Sequence, residues 1–292
     1  MDLYWQEPEL QLLTSLLTRT ADKAVIDVGG ERGAFAEELL RAGGGVVHVV
    51  EPEPSNAEFL RTRFLQDRRV VVHEYAITEA DTPLVLYKSM RPSGEPLTYG
   101  HTVLSRPDTD EIAWGEAIPV AGRSLASLVA AGELPGRVGI LKIDTEGNDF
   151  AAISGMGPLE CDVVMVEHWT DLPHSLGVCP WSVDEMLSAL RPRGFSHFAS
   201  IVHRGETALI RWDEPSVPRG QFGNLVFIHD RLVQHVWPLV FKCASACAAG
   251  AIEQLEEHLR EVEADREARL EVIHQLDARL KARRRGLFRL VG

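Results

Sequence analysis

Short β-branched runs alternate with amphipathic segments along most of the chain. Residues 24–28, 46–50 and 69–75 are rich in valine and isoleucine, and the segments after the first two place apolar residues at helical spacing. This strand–helix order predicts an α/β domain with a mostly parallel sheet and flanking helices. Further strands are predicted at residues 138–144, 162–167, 195–202, 208–212 and 224–229, and helices at residues 8–19, 34–41, 55–65, 124–131, from about 148, and 181–190.

The alternation loosens between residues 77 and 120. Residues 84–87 predict one added strand, whereas residues 89–116 are rich in Pro, Gly, Ser, Thr and Asp. A long stretch without a regular pattern inside a compact domain is usually a functional loop. We therefore expect residues 89–116 to form a lid over a binding site.

The C-terminal segment has a different pattern. From Ile252 to Leu280 a seam of residues recurs at alternating spacings of three and four, which is typical of a coiled coil. Arg266 and Arg269 interrupt this seam. The seam predicts a helix that pairs in a homodimer or binds a partner, and the alternative is an amphipathic helix folded back on the domain. The predicted organisation is an N-terminal helix at residues 1–21, a domain at 22–230, a linker at 231–251 and a C-terminal helix at 252–292.

The charge balance limits the class of partner. The chain has 292 residues with 43 acidic and 30 basic side chains, which gives a formal charge of −13. Binding to the phosphate backbone of a nucleic acid needs clustered Lys and Arg. The sequence therefore argues against DNA or RNA as a partner.

Cysteine usage and the N-terminus indicate a soluble protein in a reducing compartment. The chain has four cysteines and no Cys-x-x-Cys pair, so buried free thiols are expected rather than a zinc site. The N-terminal residues lack the basic region of a signal peptide. The most apolar stretch, residues 236–252, contains Pro238 and Lys242, and we expect no membrane span there. These features predict a cytoplasmic protein.

The sharpest local motif is VIDVGGERG at residues 25–33. Glycines after a first strand let the backbone turn tightly and approach a ligand at the N-terminus of the next helix. Asp27, Gly29 and Gly33 give the spacing Asp-x-Gly-x-x-x-Gly rather than the Gly-x-Gly-x-x-Gly of dinucleotide sites. Asp27 would repel a pyrophosphate, but it suits a cationic ligand such as S-adenosylmethionine, which carries a sulfonium and an ammonium group.

Two later strand ends fall where the rest of such a ligand would lie. Glu51 ends the second predicted strand about 20 residues after the loop, and an acid at that place can accept hydrogen bonds from ribose hydroxyls. Glu74, Ala76 and Ile77 follow the third strand, where an adenine would lie.

A second motif, ILKIDTEG, covers residues 140–147. The strands of an open parallel sheet direct their carboxyl ends to one crevice, so Asp144 and Glu146 should face the same cleft as Gly29. The two acids could orient an acceptor, bind a cation or act as a base. The alternative is a structural role, such as capping the helix from about residue 148.

Taken in order, these motifs resemble the FkbM-type methyltransferase family over about residues 22–230. The matching blocks are VIDVGG-x-x-G, VEP, AI, RSL, LKIDTEG and VVMVE, of which LKIDTEG is the most specific. The chain departs from the family at Gly30 and Glu31, which replace the usual Ala-Asn, and at residues 123–127, where the family often has Thr-Leu-Asp. The resemblance implies a class I, Rossmann-like methyltransferase fold, S-adenosylmethionine as donor, and O-methylation of a sugar or secondary metabolite.

The resemblance also implies roles for particular residues. The methionine part of the cofactor would contact Asp27, Gly29 and Gly33, the ribose would contact Glu51, and Glu74, Ala76 and Ile77 would flank the adenine. Gly30 and Asp144 would also belong to the cofactor-binding residues.

Methyl transfer to an alcohol needs an aligned oxygen and the removal of a proton, and a general base contributes about 10²–10⁴-fold in rate. His168 follows the strand predicted at residues 162–167, on the cleft side, although a histidine there can also merely hydrogen-bond a loop. A divalent cation held by the same acids is conceivable but less favoured. The candidate bases are Asp144, Glu146, Glu167, His168 and His101.

The sequence thus predicts an S-adenosylmethionine-dependent O-methyltransferase acting on a small hydroxylated molecule or glycan. One alternative is a nucleotide-sugar dehydrogenase or epimerase, but the chain lacks both Gly-x-Gly-x-x-Gly and a Tyr-x-x-x-Lys pair. Another alternative is a non-catalytic scaffold that keeps the fold and acts through its coiled coil.

Overall fold

The computed structural model describes residues 7–204, 207–214 and 217–288. The chain divides into two compact units, Met1–Cys247 and Ala248–Gly292. In chain order the elements are α1 (Glu7–Leu17), β1 (Val25–Val28), α2 (Ala34–Arg41), β2 (Val47–Val50), α3 (Pro54–Arg63), β3 (Val70–His73), β4 (Ala76–Ile77), β5 (Thr82–Met90), β6 (Ala113–Arg123), α4 (Leu125–Ala130), β7 (Arg137–Ile143), α5 (Asp149–Ser154), β8 (Glu160–Trp169), β9 (Asp171–Leu172), β10 (Gly177–Val178), α6 (Val183–Leu190), β11 (His197–Arg204), β12 (Thr207–Trp212), β13 (Phe222–Ile228) and α7 (Asp230–Phe288).

The first unit is built on an eight-stranded sheet in the order β12-β11-β13-β8-β7-β1-β2-β3. The five strands from β3 to β8 in this order are parallel, and β13, β11 and β12 add antiparallel pairs at the other end. The predicted mostly parallel sheet is therefore confirmed. β1 pairs with β2 on one side and β7 on the other, so the strand order reverses there. Such a switch point opens a crevice beyond the carboxyl ends of the strands.

The two faces of the sheet bury different helices. Leu12 of α1, Leu39 of α2 and Val236 of α7 belong to the core on one face, which we call face A. Leu128 of α4 and Leu187 of α6 belong to the core on the other face, face B. Successive side chains of a strand point to opposite faces. Every second side chain of a strand therefore points to the same face. The face to which a polar side chain points decides whether it can reach the crevice.

The segment predicted as a lid is partly ordered as a hairpin. β5 and β6 pair antiparallel, and β4 pairs parallel with β6 in a separate three-stranded sheet. The added strand predicted at residues 84–87 lies within β5. The connecting loop, residues 91–112, is shorter than predicted because both ends of the irregular segment belong to strands.

The predicted linker at residues 231–251 is wrong, because α7 begins at Asp230 and continues through it. Val236, Val240 and Cys243 recur at helical spacing and are buried in the core on face A. Pro238 lies within the helix on its exposed side.

The second unit consists of the continuation of α7. Ile252, Leu255, Leu259 and Val262 are exposed along it, at the spacing of the predicted seam. The helix is confirmed, whereas its association stays a prediction. The side chains of the seam beyond residue 272 lie outside those that the structure describes.

One helix in the described part of the chain, Asp230–Val272 within α7, is long and apolar enough to cross a membrane. A single such helix is weak evidence, since core helices of soluble proteins meet the same criterion. The absence of a membrane span at residues 236–252 therefore stays a prediction.

Candidate cofactor and acceptor site

A cavity of about 710 Å³ lies at the carboxyl ends of β1, β2 and β7. Small-molecule sites commonly have volumes of about 300–1,000 Å³. The glycine loop after β1, the end of β2, the residues after β7 and the loop between β5 and β6 all contribute to its lining. The cavity thus occupies the crevice that the strand order predicts.

The glycine loop, residues 29–33, packs closely against the ends of the two neighbouring strands, β2 and β7. Gly29 has φ +76°, and a Cβ there would lie 1.7 Å from the carbonyl oxygen of Asp144. A Cβ on Gly30 would lie 2.1 Å from Cγ1 of Val49. Because no larger side chain fits, the backbone of both residues lines the cavity directly.

Glu51, directly after β2, stabilises the conformation of the glycine loop. Its two carboxylate oxygens accept hydrogen bonds from the backbone N–H groups of Glu31 and Glu53, each at 2.9 Å. Burial raises the pKa of Glu51 to about 8, although both hydrogen bonds act against this. Each carboxylate oxygen keeps a further acceptor position, so Glu51 can also bind ligand hydroxyls.

A buried ion pair forms the floor of the cavity. Nζ of Lys142, which is 2% exposed, lies 2.9 Å from Oδ1 of Asp27 and 3.5 Å from Oδ2 of Asp144. Burial alone would lower the pKa of Lys142, but attraction to the two carboxylates outweighs it and raises the pKa. Lys142 was not among the predicted site residues, although it lies in the same ILKIDTEG motif.

Three acids after β7 and near the end of β8 converge. One carboxylate oxygen from each of Asp144, Glu146 and Glu167 lies within 4.8 Å of the others, and we call this group the carboxylate cluster. Glu146 has φ +55°, a left-handed conformation that is strained for a residue with a side chain. The cluster lines the cavity, so the prediction that Asp144 and Glu146 share a cleft with Gly29 is confirmed.

Burial and crowding raise the pKa values of two members of the carboxylate cluster, Glu146 and Glu167. Burial, followed by repulsion from Asp144 and Asp149, raises the pKa of Glu146 to about 8. Burial and repulsion from Glu146 raise the pKa of Glu167 well above its usual range. Asp149 accepts hydrogen bonds from Thr145 and from the backbone N–H of Glu167, so it fixes the ends of β7 and β8 relative to each other.

Asn224 of β13 is a lining residue that sequence reasoning missed. It stands opposite Glu167 in the register of β13 and β8. Its Nδ2 donates to Oε1 of the buried Glu9 at 2.9 Å, and His203 contacts the same oxygen at 2.5 Å. Glu9 and Asn224 are 215 positions apart, so no local pattern could have linked them.

His168 lies within β8 rather than after it, and this corrects its predicted place on the cleft side. Val163 and Met165 point to face A together with Glu167, so the adjacent His168 points to face B. There its ring packs 4.7 Å from the ring of Trp181, and burial lowers its pKa to about 4. His168 is not among the described residues that line the cavity.

The remaining predicted residues divide between the cavity and its surroundings. Ala76 and Ile77 line the cavity, whereas the Glu74 carboxylate turns outward to Arg61 at 2.8 Å. Gly33 forms the turn into α2 with φ +81° and is outside the described lining. His101 lines the cavity from the loop, and burial lowers its pKa to about 4.

The loop between β5 and β6 is hydrogen-bonded to the side of the cavity that the glycine loop forms. Oγ1 of Thr98 donates to Oε1 of Glu31 at 2.8 Å, and Nδ2 of Asn56 donates to the carbonyl oxygen of Thr98 at 2.9 Å. Thr98, Tyr99 and His101 line the cavity. The loop therefore lines the cavity beside the glycine loop, and its action as a lid stays a prediction.

Comparisons with known proteins bear on this site. A family model described as the methyltransferase FkbM domain matches residues 27–196, which is more than half of the chain. No protein of curated function matches the chain in sequence.

Several solved methyltransferase structures resemble the chain. The N-methyltransferase NodS from Bradyrhizobium japonicum WM9 has 11% identity and a TM-score of 0.42, over 78% of this chain and 97% of that one. Precorrin-6y C5,15-methyltransferase from Geobacter metallireducens GS-15 has 11% identity and a TM-score of 0.39, over 76% and 88%. The N-terminal domain of EvdMO1, solved with SAH and D-fucose, has 10% identity and a TM-score of 0.43, over 77% and 83%. These values are low, and the fold assignment rests on the strand order and the family match.

Proposed function

Because the chain belongs to the FkbM methyltransferase family, we propose that it transfers a methyl group from S-adenosylmethionine to a hydroxyl oxygen of a sugar, glycan or secondary metabolite. The observation that carries this proposal is the composition of the cavity. The glycine loop and Glu51 lie on its cofactor side, and the carboxylate cluster, with its high proton affinity, lines the same space.

The residues around the glycine loop fit the proposed donor. Gly29 and Gly30 form a cradle that any Cβ would fill, and the buried Asp27 and Glu51 make this side of the cavity acidic. Acidic surroundings suit a sulfonium and an ammonium group and disfavour a pyrophosphate. In this proposal Asp27, Gly29 and Gly30 hold the methionine part and Glu51 holds the ribose, while Ala76 and Ile77 flank the adenine. The bound donor supplies a methyl group made electrophilic by the cationic sulfur.

The carboxylate cluster supplies the proton acceptor. An alcohol must lose its proton during methyl transfer, and a base works best when its pKa lies near the working pH. Burial raises the pKa of Glu146 to about 8 and holds that of Glu167 well above its usual range, whereas an unperturbed carboxylate would be a weak base. The lid loop excludes water from the reacting oxygen.

Calorimetry and a transfer assay test this proposal. We expect S-adenosylmethionine and S-adenosylhomocysteine to bind the full chain while NAD does not. Radiolabelled methyl should then appear on hydroxyl-bearing acceptors and not on matched amines. Binding of NAD alone would favour the nucleotide-sugar alternative, and binding without any turnover across the acceptor panel would favour the scaffold.

A pair of matched variants locates the base. Glu146→Gln should keep its affinity for S-adenosylhomocysteine and lose about 10²–10⁴-fold in transfer rate. Glu116→Gln, on the exposed side of β6, should keep both. An unchanged transfer rate in Glu146→Gln would remove Glu146 as the base.

A further inference from the structure

The carboxylate cluster has the spacing of a metal site. Hard divalent cations bind carboxylate oxygens at about 2.0–2.6 Å, so oxygens around one ion lie within about 5 Å of one another. Asp144, Glu146 and Glu167 each place one oxygen within 4.8 Å of the others. Spacing alone does not make a site, because acidic side chains can cluster without a metal.

Asn224 provides an independent observation. The side chain is 7% exposed, and its Nδ2 is bonded to the Glu9 carboxylate, which can only accept. Oδ1 is therefore turned away from Glu9, and it has no hydrogen-bond partner among the described residues. Because β13 and β8 place Asn224 opposite Glu167, both side chains leave the sheet on face A. Asn224 lines the same cavity as the carboxylate cluster and stands beside Glu167, and a buried amide oxygen without a donor there is a ready neutral ligand for a hard cation.

The basic side chains nearby are already engaged. Lys142 lies 2.9 Å from Asp27 and 3.5 Å from Asp144, so its charge is shared between these two carboxylates. Arg106 donates to the backbone carbonyl oxygens of Glu146 and Leu176. Within the described residues, no basic side chain forms an ion pair with the Glu146 or Glu167 carboxylate. A buried Oε2 of Glu167 is also left without a hydrogen-bond partner there.

We propose that Asp144, Glu146 and Glu167, with Oδ1 of Asn224, bind a divalent cation of the Mg²⁺ or Mn²⁺ class. This inference rests on the proposed function: the ion would also bind an oxygen of the acceptor and so orient the acceptor. Hard cations keep open positions for water or substrate oxygens, which leaves room for the acceptor beside the protein ligands. A bound cation would lower the pKa of the carboxylates that hold it, but it would also lower the pKa of the acceptor hydroxyl, so a cluster carboxylate would still take the proton.

Titration of the full chain with Mn²⁺ tests the site. After dialysis against a chelator, free Mn²⁺ is measured by electron paramagnetic resonance, with and without S-adenosylhomocysteine. We expect one bound Mn²⁺ per chain, displaced by excess Mg²⁺. Glu167→Gln and Glu146→Gln should each weaken Mn²⁺ binding by at least about tenfold. Glu160→Gln, at the other and exposed end of β8, is the matched control and should bind as the unmodified chain does.

The outcomes separate this inference from the proposed function. Binding of S-adenosylhomocysteine without Mn²⁺ binding in either condition would overturn the metal site and leave the methyltransferase proposal standing. Mn²⁺ binding that survives both Gln substitutions would place the metal elsewhere and also overturn the inference. Mn²⁺ binding lost in both variants, with S-adenosylhomocysteine affinity kept, supports it. Failure of S-adenosylhomocysteine to bind counts against the proposed donor, whereas the Mn²⁺ titration still reports on the site.

Discussion

The ion pair between Asp27 and Lys142 gives a prediction with a definite size. Both side chains are buried, at 0% and 2% exposure, and their closest atoms are 2.9 Å apart. Removing one member of a buried pair leaves an uncompensated charge and costs about 3–5 kcal/mol of unfolding free energy. We therefore expect Lys142→Met to be strongly destabilised, because both Asp27 and Asp144 then lose their counter-charge.

The two single variants should differ in the unfolding free energy that they lose. In Asp27→Asn, Lys142 still has Asp144 at 3.5 Å, so the cost should be smaller, about 1–3 kcal/mol. The double variant removes the buried carboxylate and the buried ammonium together, and Asp144 is 24% exposed and can be solvated. It should therefore be more stable than Lys142→Met by about 2 kcal/mol, even though it carries an additional substitution.

Urea unfolding without cofactor, followed by tryptophan fluorescence, measures these differences. Lys242→Met, on an exposed part of α7, serves as the control for loss of a lysine. A double variant that is as unstable as Lys142→Met, or less stable, would refute charge compensation as the role of Lys142. The double variant, Asp27→Asn with Lys142→Met, should bind S-adenosylhomocysteine weakly even though it is more stable than Lys142→Met, because the proposed function assigns Asp27 to the cofactor.

Three further predictions concern the cavity and the tail. Glu51→Gln should weaken S-adenosylhomocysteine binding by about tenfold or more in calorimetry, because a donor NH₂ then faces a backbone N–H; unchanged affinity would contradict the ribose assignment. The buried Glu51 and Glu146 have folded-state pKa values near 8, above 4.5 for the unfolded chain, so they stabilise the fold at low pH and this contribution is lost as pH rises towards 8. The melting temperature of the unliganded protein should therefore fall between about pH 7 and about pH 8, and a flat or rising profile in differential scanning calorimetry would contradict this. Deletion of residues 248–292 should lower the mass per particle in light scattering by more than the deleted segment while S-adenosylhomocysteine binding is kept, and a change equal to that segment alone would exclude self-association through the seam.

The parallel sheet and the glycine loop were predictable because their signals are local. A β-branched run, a glycine turn and an amphipathic helix follow one another within about 20 residues, and the switch point follows from strand order. The motif at residues 140–147 predicted the acidic side of the cavity for the same reason. Glu167 and His168 show the limit of this reasoning. The strand was predicted to end at residue 167, so both side chains were expected in the cleft. β8 in fact continues to Trp169, and because neighbouring side chains of a strand point to opposite faces, only one of the two can reach the cleft.

Other features depend on contacts between distant parts of the chain. Glu9 in α1 orients Asn224 in β13, and neither residue stands in a recognisable motif. Residues 231–251 were predicted as a linker, but Val236 and Val240 within them are buried in the core on face A, and this burial outweighs the hydrogen bond that Pro238 removes from α7. The loop between β5 and β6 was expected as a lid, yet only the pairing of its flanking strands fixes where it closes.

The hydrogen bonds from Thr98 to Glu31 and from Asn56 to Thr98 have a consequence for the order of events in turnover. They join the loop between β5 and β6 to the glycine loop, so ordering one also orders the other. Coupling between two sites is reciprocal, since each ligand must raise the affinity for the other by the same factor. If the proposed donor binds first and orders Glu31, the loop that contains Thr98 is already ordered when the acceptor binds. On the proposed function, we therefore expect a sequential kinetic scheme in which the donor binds first and its demethylated product leaves last.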